Sequence, residues 1–234
     1  MRKAGWRAIC LALVLAGPMG GAGAQVLTLD QVSAKLQANY RRINTLEGKF
    51  EQELWSATQG RVISKGAGEV RYKKPGKMVW QYQTPREHLF LTDGETIWDY
   101  AAEDKEAYVY TVKETLYKEF LLGIGDLKKD FELSFHSGRA LSQAGLYQLD
   151  LIPRDPEERA NVGRITLYLD PQTFLVQETE TVDALGNRNH IRFLDLKLNP
   201  ELPEAAFKFV PPKGVKVIKA ENPRAAAPAE PQPK

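Results

Sequence analysis

Between Gly68 and Tyr100 the chain runs GEVRYKKPGKMVWQYQTPREHLFLTDGETIWDY, and this stretch constrains the fold more than any other. Lys74-Pro75, Thr84-Pro85 and Asp93-Gly94 cut it into four or five short extended segments. Proline lacks a ladder donor, and Asp-Gly favours a turn. The segments carry Tyr72, Met78, Trp80, Tyr82, Phe90, Trp98 and Tyr100, with few residues of catalytic chemistry. A sheet so rich in large apolar groups, in a chain expected to be exported without disulfides, points to a protein that holds something apolar.

The first 24 residues have the composition of an export signal. Arg2, Lys3 and Arg7 precede an apolar run, Ala8 to Ala16, and Ala22-Gly23-Ala24 matches an Ala-x-Ala cleavage pattern. The apolar run is much shorter than the ~20 residues a spanning helix needs. The one cysteine, Cys10, lies inside this segment, too early for a lipid-attachment site. The expected domain plan is therefore a signal at 1–24, one domain over 25–219, and a Pro/Ala-rich tail at 220–234 expected to be disordered. Such a domain, unanchored and without thiols, fits a bacterial periplasm. Removing Arg2, Lys3 and Arg7 takes the formal charge from +2 to −1. With charges interspersed and no basic block beyond Lys73-Lys74, a nucleic-acid partner is not expected.

The domain opens with a helical pattern. Thr28-Leu29-Asp30-Gln31 matches a capping box, and Leu29, Val32, Leu36, Tyr40 and Ile43 recur at helical spacing, so a helix is expected from Leu29 to Arg42. Ser33, Lys35, Gln37 and Asn39 are expected to face outward. From Thr45 the period becomes two, with Leu46, Gly48, Phe50, Gln52 and Leu54 on one face and Glu47, Lys49, Glu51 and Glu53 on the other. Extended segments follow at Val62–Tyr72, through the aromatic block, and at Ala107–Val112. Helical spacing returns over Glu114–Phe131 at Leu116, Phe120 and Leu121, with Gly123 and Gly125 as a stop. Strands are then expected at Phe131–Phe135, Leu146–Ile152, Arg164–Leu169, Leu175–Val182, Asn189–Leu198 and Val215–Ile218, with a short helix at Pro203–Phe207. Strands at this spacing argue for one antiparallel sheet, curled into a sandwich or barrel. Two or three helical pieces are too few to cover a parallel sheet. Their apolar faces need a partner, and the concave side of the sheet is the economical one.

The usual parts of an enzyme are missing from the pattern. His88, His136 and His190 form no two-histidine zinc motif, there is no G-x-S-x-G elbow, and no phosphate-binding glycine loop occurs. Glu157-Glu158 and Asp93/Asp99 have the spacing of surface acids, the first pair in a loop. No catalytic residue, metal site or cofactor is expected.

Three runs carry a resemblance. They are KKP-x-x-x-VWQY…P…LTDGETIWDY, then Phe193…Leu196-Lys197-Leu198-Asn199-Pro200, then Phe207-Lys208-Phe209-Val210-Pro211-Pro212-Lys213-Gly214-Val215, joined by an early F-x-Q at Phe50–Gln52. In that order and spacing, over nearly the whole domain, the chain resembles the LolA family of periplasmic lipoprotein carriers. The resemblance implies a mainly β fold, an incomplete, unclosed antiparallel β-barrel with a helical lid over its concave apolar face. It implies a monomer that takes acylated lipoproteins from an inner-membrane lipoprotein-releasing ABC exporter to an outer-membrane acceptor or membrane. The acceptor that shares the fold is itself acylated, and Cys10 provides no such anchor. The family pattern has arginine where this chain has Lys74, tying a strand to the lid backbone; lysine keeps the charge without the planar fork.

Strand parity puts Met78, Trp80 and Tyr82 on one face and Val79 and Gln81 on the other. Met78, Trp80 and Tyr82, with Phe50, Phe90, Leu36, Phe120 and Leu121, are the expected lining of an acyl cavity, with Lys74 as latch. Each buried CH₂ contributes ~0.8 kcal/mol, so chains of about 16 carbons gain on the order of 10 kcal/mol by leaving water. A carrier of another lipid, such as a glycolipid, would use the same half-barrel, and a sensor on the same scaffold is a third reading.

Overall fold

The computed structural model describes residues 26–111 and 127–219. Helix α1 spans Leu29–Arg42, the range its spacing predicts, and is started by a complete capping box. The Gln31 amide donates to Thr28 Oγ1 at 3.3 Å while the Thr28 amide donates to Gln31 Oε1 at 2.9 Å. Val32, Leu36 and Tyr40 are buried. So is Ser33, expected outside; its hydroxyl donates back to the Asp30 carbonyl, so it leaves no unpaired polar group beneath the helix.

The remainder is organised around twelve strands: β1 (Thr45–Ser56), β2 (Arg61–Lys73), β3 (Lys77–Thr84), β4 (His88–Thr92), β5 (Thr96–Ala101), β6 (Glu106–Thr111), β7 (Phe131–Phe135), β8 (Tyr147–Pro153), β9 (Arg164–Leu169), β10 (Val176–Val182), β11 (Arg188–Leu198) and β12 (Lys216–Lys219). All belong to one sheet in the order β12-β6-β5-β4-β3-β2-β1-β11-β10-β9-β8-β7. Among the described residues β12 and β7 are its two edges, and they do not pair with each other. The sheet is an unclosed barrel. One pairing departs from the antiparallel expectation: β12 runs parallel to β6, with Lys216 opposite Glu106 and Ile218 opposite Tyr108. The chain reaches β6 after crossing the outer face, so it arrives pointing the same way. No helix among the described residues is long and apolar enough to cross a membrane.

Two short α-helices and two single 3-10 turns, His136–Gly138 and Glu204–Phe207, complete the described structure, the second turn standing where a short helix is expected. Helix α2 (Leu127–Asp130) leads directly into β7, and α3 (Pro156–Asn161) follows β8. Asp155 caps α3 by accepting from the Glu157 and Glu158 amides, so these acids lie in a first helical turn rather than a loop. The expected second lid segment around Leu116–Leu122, including Phe120 and Leu121, lies outside the described residues.

The alternation in β1 sorts the two faces. Leu46, Phe50, Gln52 and Leu54 are buried, while Glu47, Lys49, Glu51 and Glu53 share the other side. Continued through the register, the inner face receives Val70 and Tyr72 from β2, Met78, Trp80 and Tyr82 from β3, Phe90 from β4, Leu149 and Leu151 from β8, Leu167 from β9, and Ile191 and Phe193 from β11. These side chains and α1 form one continuous apolar cluster. Strands so far apart in the order meet only because the sheet curls around the helix.

The outer face also holds a small core. Val79 and Leu91 pack with Leu202 and Phe207, and Trp98 and Tyr100 lie 5.3 and 5.1 Å from the Phe209 ring. Two of the aromatic-block side chains thus face away from the concave side, covered by the strap after β11. Lys73 and Lys77 pair with Glu204 of that strap, at 2.8 Å for Lys73.

Candidate functional site

The concave face has an apolar middle bounded by polar groups at both ends. In the middle, Phe50 lies 4.6 Å from Trp80 in a tilted pair and 4.9 Å from Tyr82 edge-on, and Trp80 meets Phe193 edge-on at 6.0 Å. These aromatics come from β1, β3 and β11, which no local sequence window joins. Each such pair adds about 0.5–1.5 kcal/mol beyond its buried area.

Glycine makes the crossing possible. Gly66 stands directly opposite Gln52 on β1, and a Cβ there would lie 3.2 Å from the Tyr82 ring. With no side chain in between, Tyr82 leans from β3 across β2 and donates its hydroxyl to Gln52 Oε1 at 2.8 Å. Gln52 Nε2 in turn donates to Asn189 Oδ1 on β11 at 2.8 Å. Burial pushes the Tyr82 hydroxyl far above an ordinary tyrosine, partly offset by Trp80 and Gln52. It stays neutral and keeps its donor. Beside it, the His88 ring meets Tyr82 edge-on, and His88 Nε2 lies 2.5 Å from Asp99. This polar band spans β11, β1, β3, β4 and β5 at the end away from Lys74.

At the opposite end, Lys74 Nζ donates to the Tyr40 carbonyl at 2.7 Å and to the Arg41 carbonyl at 3.2 Å. It thus satisfies carbonyls in the last turn of α1, where the helix leaves acceptors unpaired. Partial burial holds the Lys74 ammonium below the ordinary lysine range. Four other bonds hold the helix: the Leu27 amide to the Tyr147 hydroxyl at 3.0 Å, the Val176 amide to the Tyr40 hydroxyl at 3.4 Å, Asn199 Nδ2 to the Arg42 carbonyl at 3.3 Å, and Asn39 to the Thr173 carbonyl. Asp30 pairs with Lys128 at 2.8 Å.

Of the expected lining residues, Leu36, Phe50, Met78, Trp80, Tyr82 and Phe90 are buried in the one cluster beneath α1. Gln52 and Asn189 were not among them. Their signal was a polar side chain at an apolar-parity position, most visible for Gln52 between Phe50 and Leu54.

The arrangement supports binding rather than bond-breaking. The three histidines each pair with a carboxylate: His88 with Asp99, His136 with Asp150 at 3.0 Å, and His190 with Glu178 at 2.8 Å. Thr166 completes a Thr–Asp–His set on the outer face, but its hydroxyl donates to Asp150 at 2.7 Å rather than facing the imidazole. A relay that activates a hydroxyl needs the imidazole between the two. No group of three or more potential metal ligands occurs among the described residues.

Comparison with known proteins agrees with this geometry. The family profile described as "Outer membrane lipoprotein carrier protein LolA" matches residues 41–210. An outer-membrane lipoprotein carrier protein of Legionella pneumophila (strain Corby) is 30% identical over 195 residues, covering 81% of this chain and 91% of the relative. One from Ralstonia nicotianae is 29% identical over 208 residues, covering 85% and 90%. Among solved structures, an uncharacterized conserved protein from Thermus thermophilus aligns with a TM-score of 0.53 at 11% identity, over 82% of this chain and 98% of that one. That likeness is one of fold alone.

Proposed function

Because the chain belongs to the LolA family of outer-membrane lipoprotein carriers, a family of binding proteins rather than enzymes, we propose that its concave face carries the acyl chains of outer-membrane lipoproteins. The observation that supports this most directly is the continuous apolar cluster shared by the curled sheet and α1. The large apolar side chains of the helix's buried face are Val32, Leu36 and Tyr40. At about 2 kcal/mol per fully buried side chain, that contact totals on the order of 6 kcal/mol, below the ~10 kcal/mol of one long acyl chain. A ligand can therefore displace the helix, and the helix returns part of the binding energy at release.

In this reading the protein is exported through its 1–24 signal and works in the periplasm as a monomer. It receives lipoproteins from an inner-membrane ABC exporter and passes them to an outer-membrane acceptor. Leu36, Phe50, Met78, Trp80, Tyr82 and Phe90 are the proposed acyl contacts, and Lys74 is the proposed latch on the lid. With no nucleotide-binding motif in the chain, loading draws its energy from the exporter, and unloading runs towards a more apolar acceptor.

Mass spectrometry of material co-purifying from the periplasm tests the ligand. Acylated lipoproteins are expected, and recovery of free glycolipid in their place would overturn the assignment. Inner-membrane vesicles test the donor: lipoprotein should appear in the supernatant only when this protein and ATP are both supplied. Release that ignores either one removes the exporter from the scheme.

A further inference from the structure

We propose that the Trp80 indole N–H receives the carbonyl oxygen of an acyl group, so that the carrier reads the linkage of a fatty chain as well as its hydrocarbon. This rests on the carrier reading above and assigns one atom within it.

Trp80 is 5% exposed, and its Nε1 is buried without a hydrogen-bond partner. A buried donor left unpaired costs about 1–3 kcal/mol. Phenylalanine would preserve aromatic contact with Phe50 and Phe193 without that cost, so packing alone does not account for a tryptophan here. The indole stands where the apolar middle of the face meets its polar band. The neighbouring polar groups are already engaged: Tyr82 donates to Gln52, and Gln52 donates to Asn189. The indole N–H lies close enough to the Tyr82 oxygen to act on it as a weak donor, but it reaches no acceptor in full hydrogen-bond geometry, so a better-placed acceptor can claim it.

A solitary donor in an apolar wall selects a particular ligand chemistry. It suits a group that accepts and brings no proton of its own. An ester carbonyl meets that description, and the carbonyl of an N-acyl amide supplies the same acceptor where its N–H faces out of the apolar wall. An alcohol or a protonated fatty acid would add a second donor to be satisfied. A carbonyl at Trp80 pairs the open donor and leaves the hydrocarbon against Phe50, Phe193 and the rest of the cluster.

The test compares three synthetic peptides with an N-terminal cysteine. The first carries an S-(2,3-dipalmitoyloxypropyl) group and a free amine. The second has the same two chains linked by ethers. The third has the ether chains plus an N-palmitoyl group. Affinity is read by displacement of a fluorescent fatty-acid probe from the full-length mature protein and from Trp80→Phe. Loss of one hydrogen bond should weaken the diester peptide about 3- to 10-fold and leave the diether peptide within about 2-fold. A selective loss for the third peptide relative to the second instead assigns the contact to the amide carbonyl, which also supports the proposal. Equal losses for all three, or none, overturn it while leaving the carrier reading intact. Failure of the unaltered protein to bind any of the three removes both. Should Trp80→Phe fold poorly, replacing Trp80 with benzothienylalanine keeps the bicyclic shape and removes only the N–H. In the unaltered protein the Trp80 indole proton should shift downfield on binding the carbonyl-bearing peptide that shows the selective loss, and not on binding the diether; a shift equal in both also overturns the proposal.

Discussion

Lys74 is the residue on which opening and closing of the site should turn. Its ammonium bridges two carbonyls at the end of α1, a contact worth about 1 kcal/mol after allowance for its partial exposure. Lys74→Leu removes both bonds, so the helix should leave the sheet more readily and a bound lipoprotein should be released more slowly, by about 5-fold. Lys74→Arg should do the reverse, since a planar fork suits paired carbonyl acceptors better than a point charge. Handover kinetics to acceptor membranes decide the matter, and unchanged release from Lys74→Leu would remove the latch. Trp80 offers a second readout at this scale. It lies in the apolar cluster, whereas Trp55 sits under the Arg188 guanidinium at 4.1 Å. Titration with an acylated peptide should change Trp80 emission more than Trp55 emission, as followed in single-tryptophan variants. The identity of such residues was legible from strand parity, which put Met78, Trp80 and Tyr82 together. The Tyr82–Gln52–Asn189 chain was not legible, because it depends on Gly66 lying between two strands whose register only the folded sheet sets.

Helix α1 and the alternation of β1 could be read from local pattern because each buries one face against the same core. The outer core formed by Val79, Leu91, Leu202 and Phe207 could not, because β3 and β4 carry apolar groups on both faces. Only the returning strap shows what covers the second one. That strap is held partly by charge. Lys73 and Lys77 hold the Glu204 carboxyl at about 2, well below an ordinary glutamate. A depressed carboxylate stabilises the docked form above its unfolded pKa and loses that contribution as pH falls through its folded one. Protection of residues 200–209 against hydrogen exchange should therefore decline from about pH 5 to about pH 3 more steeply in the native protein than in Glu204→Gln. Identical pH profiles would mean that packing of Phe207 and Phe209 holds the strap alone. A different constraint binds β2 to β3. A Cβ at Gly68 would lie 1.9 Å from the Gln81 carbonyl oxygen, at the point where the pairing shifts register. Backbone cannot yield as a side-chain tip can, so Gly68→Ala should cost about 3 kcal/mol or more in denaturant unfolding.

Across the whole molecule, one continuous sheet is combined with a helix that the proposed function requires to be displaced. The strands support one another in a continuous ladder from β12 to β7, whereas α1 is held by its apolar face and a few polar bonds: those of Leu27, Asn39, Tyr40, Arg42 and Lys74, and the Asp30–Lys128 pair. A helix of 14 residues is marginal by itself in water, so once displaced it should fray even with its capping box intact. Loading with an acylated peptide should then speed hydrogen exchange of the α1 amides by about 10-fold, the consequence of losing ~1.4 kcal/mol of tertiary support. Amides in the β1, β2 and β11 ladders should keep or gain protection, because the ligand replaces the helix against them. The alternative geometry gives the opposite map. If acyl chains enter at the open edge, β7 and β8 should lose protection while α1 stays as slow as before. That pattern would show the helix to be a fixed part of the wall, with the sheet's unclosed edge as the moving part.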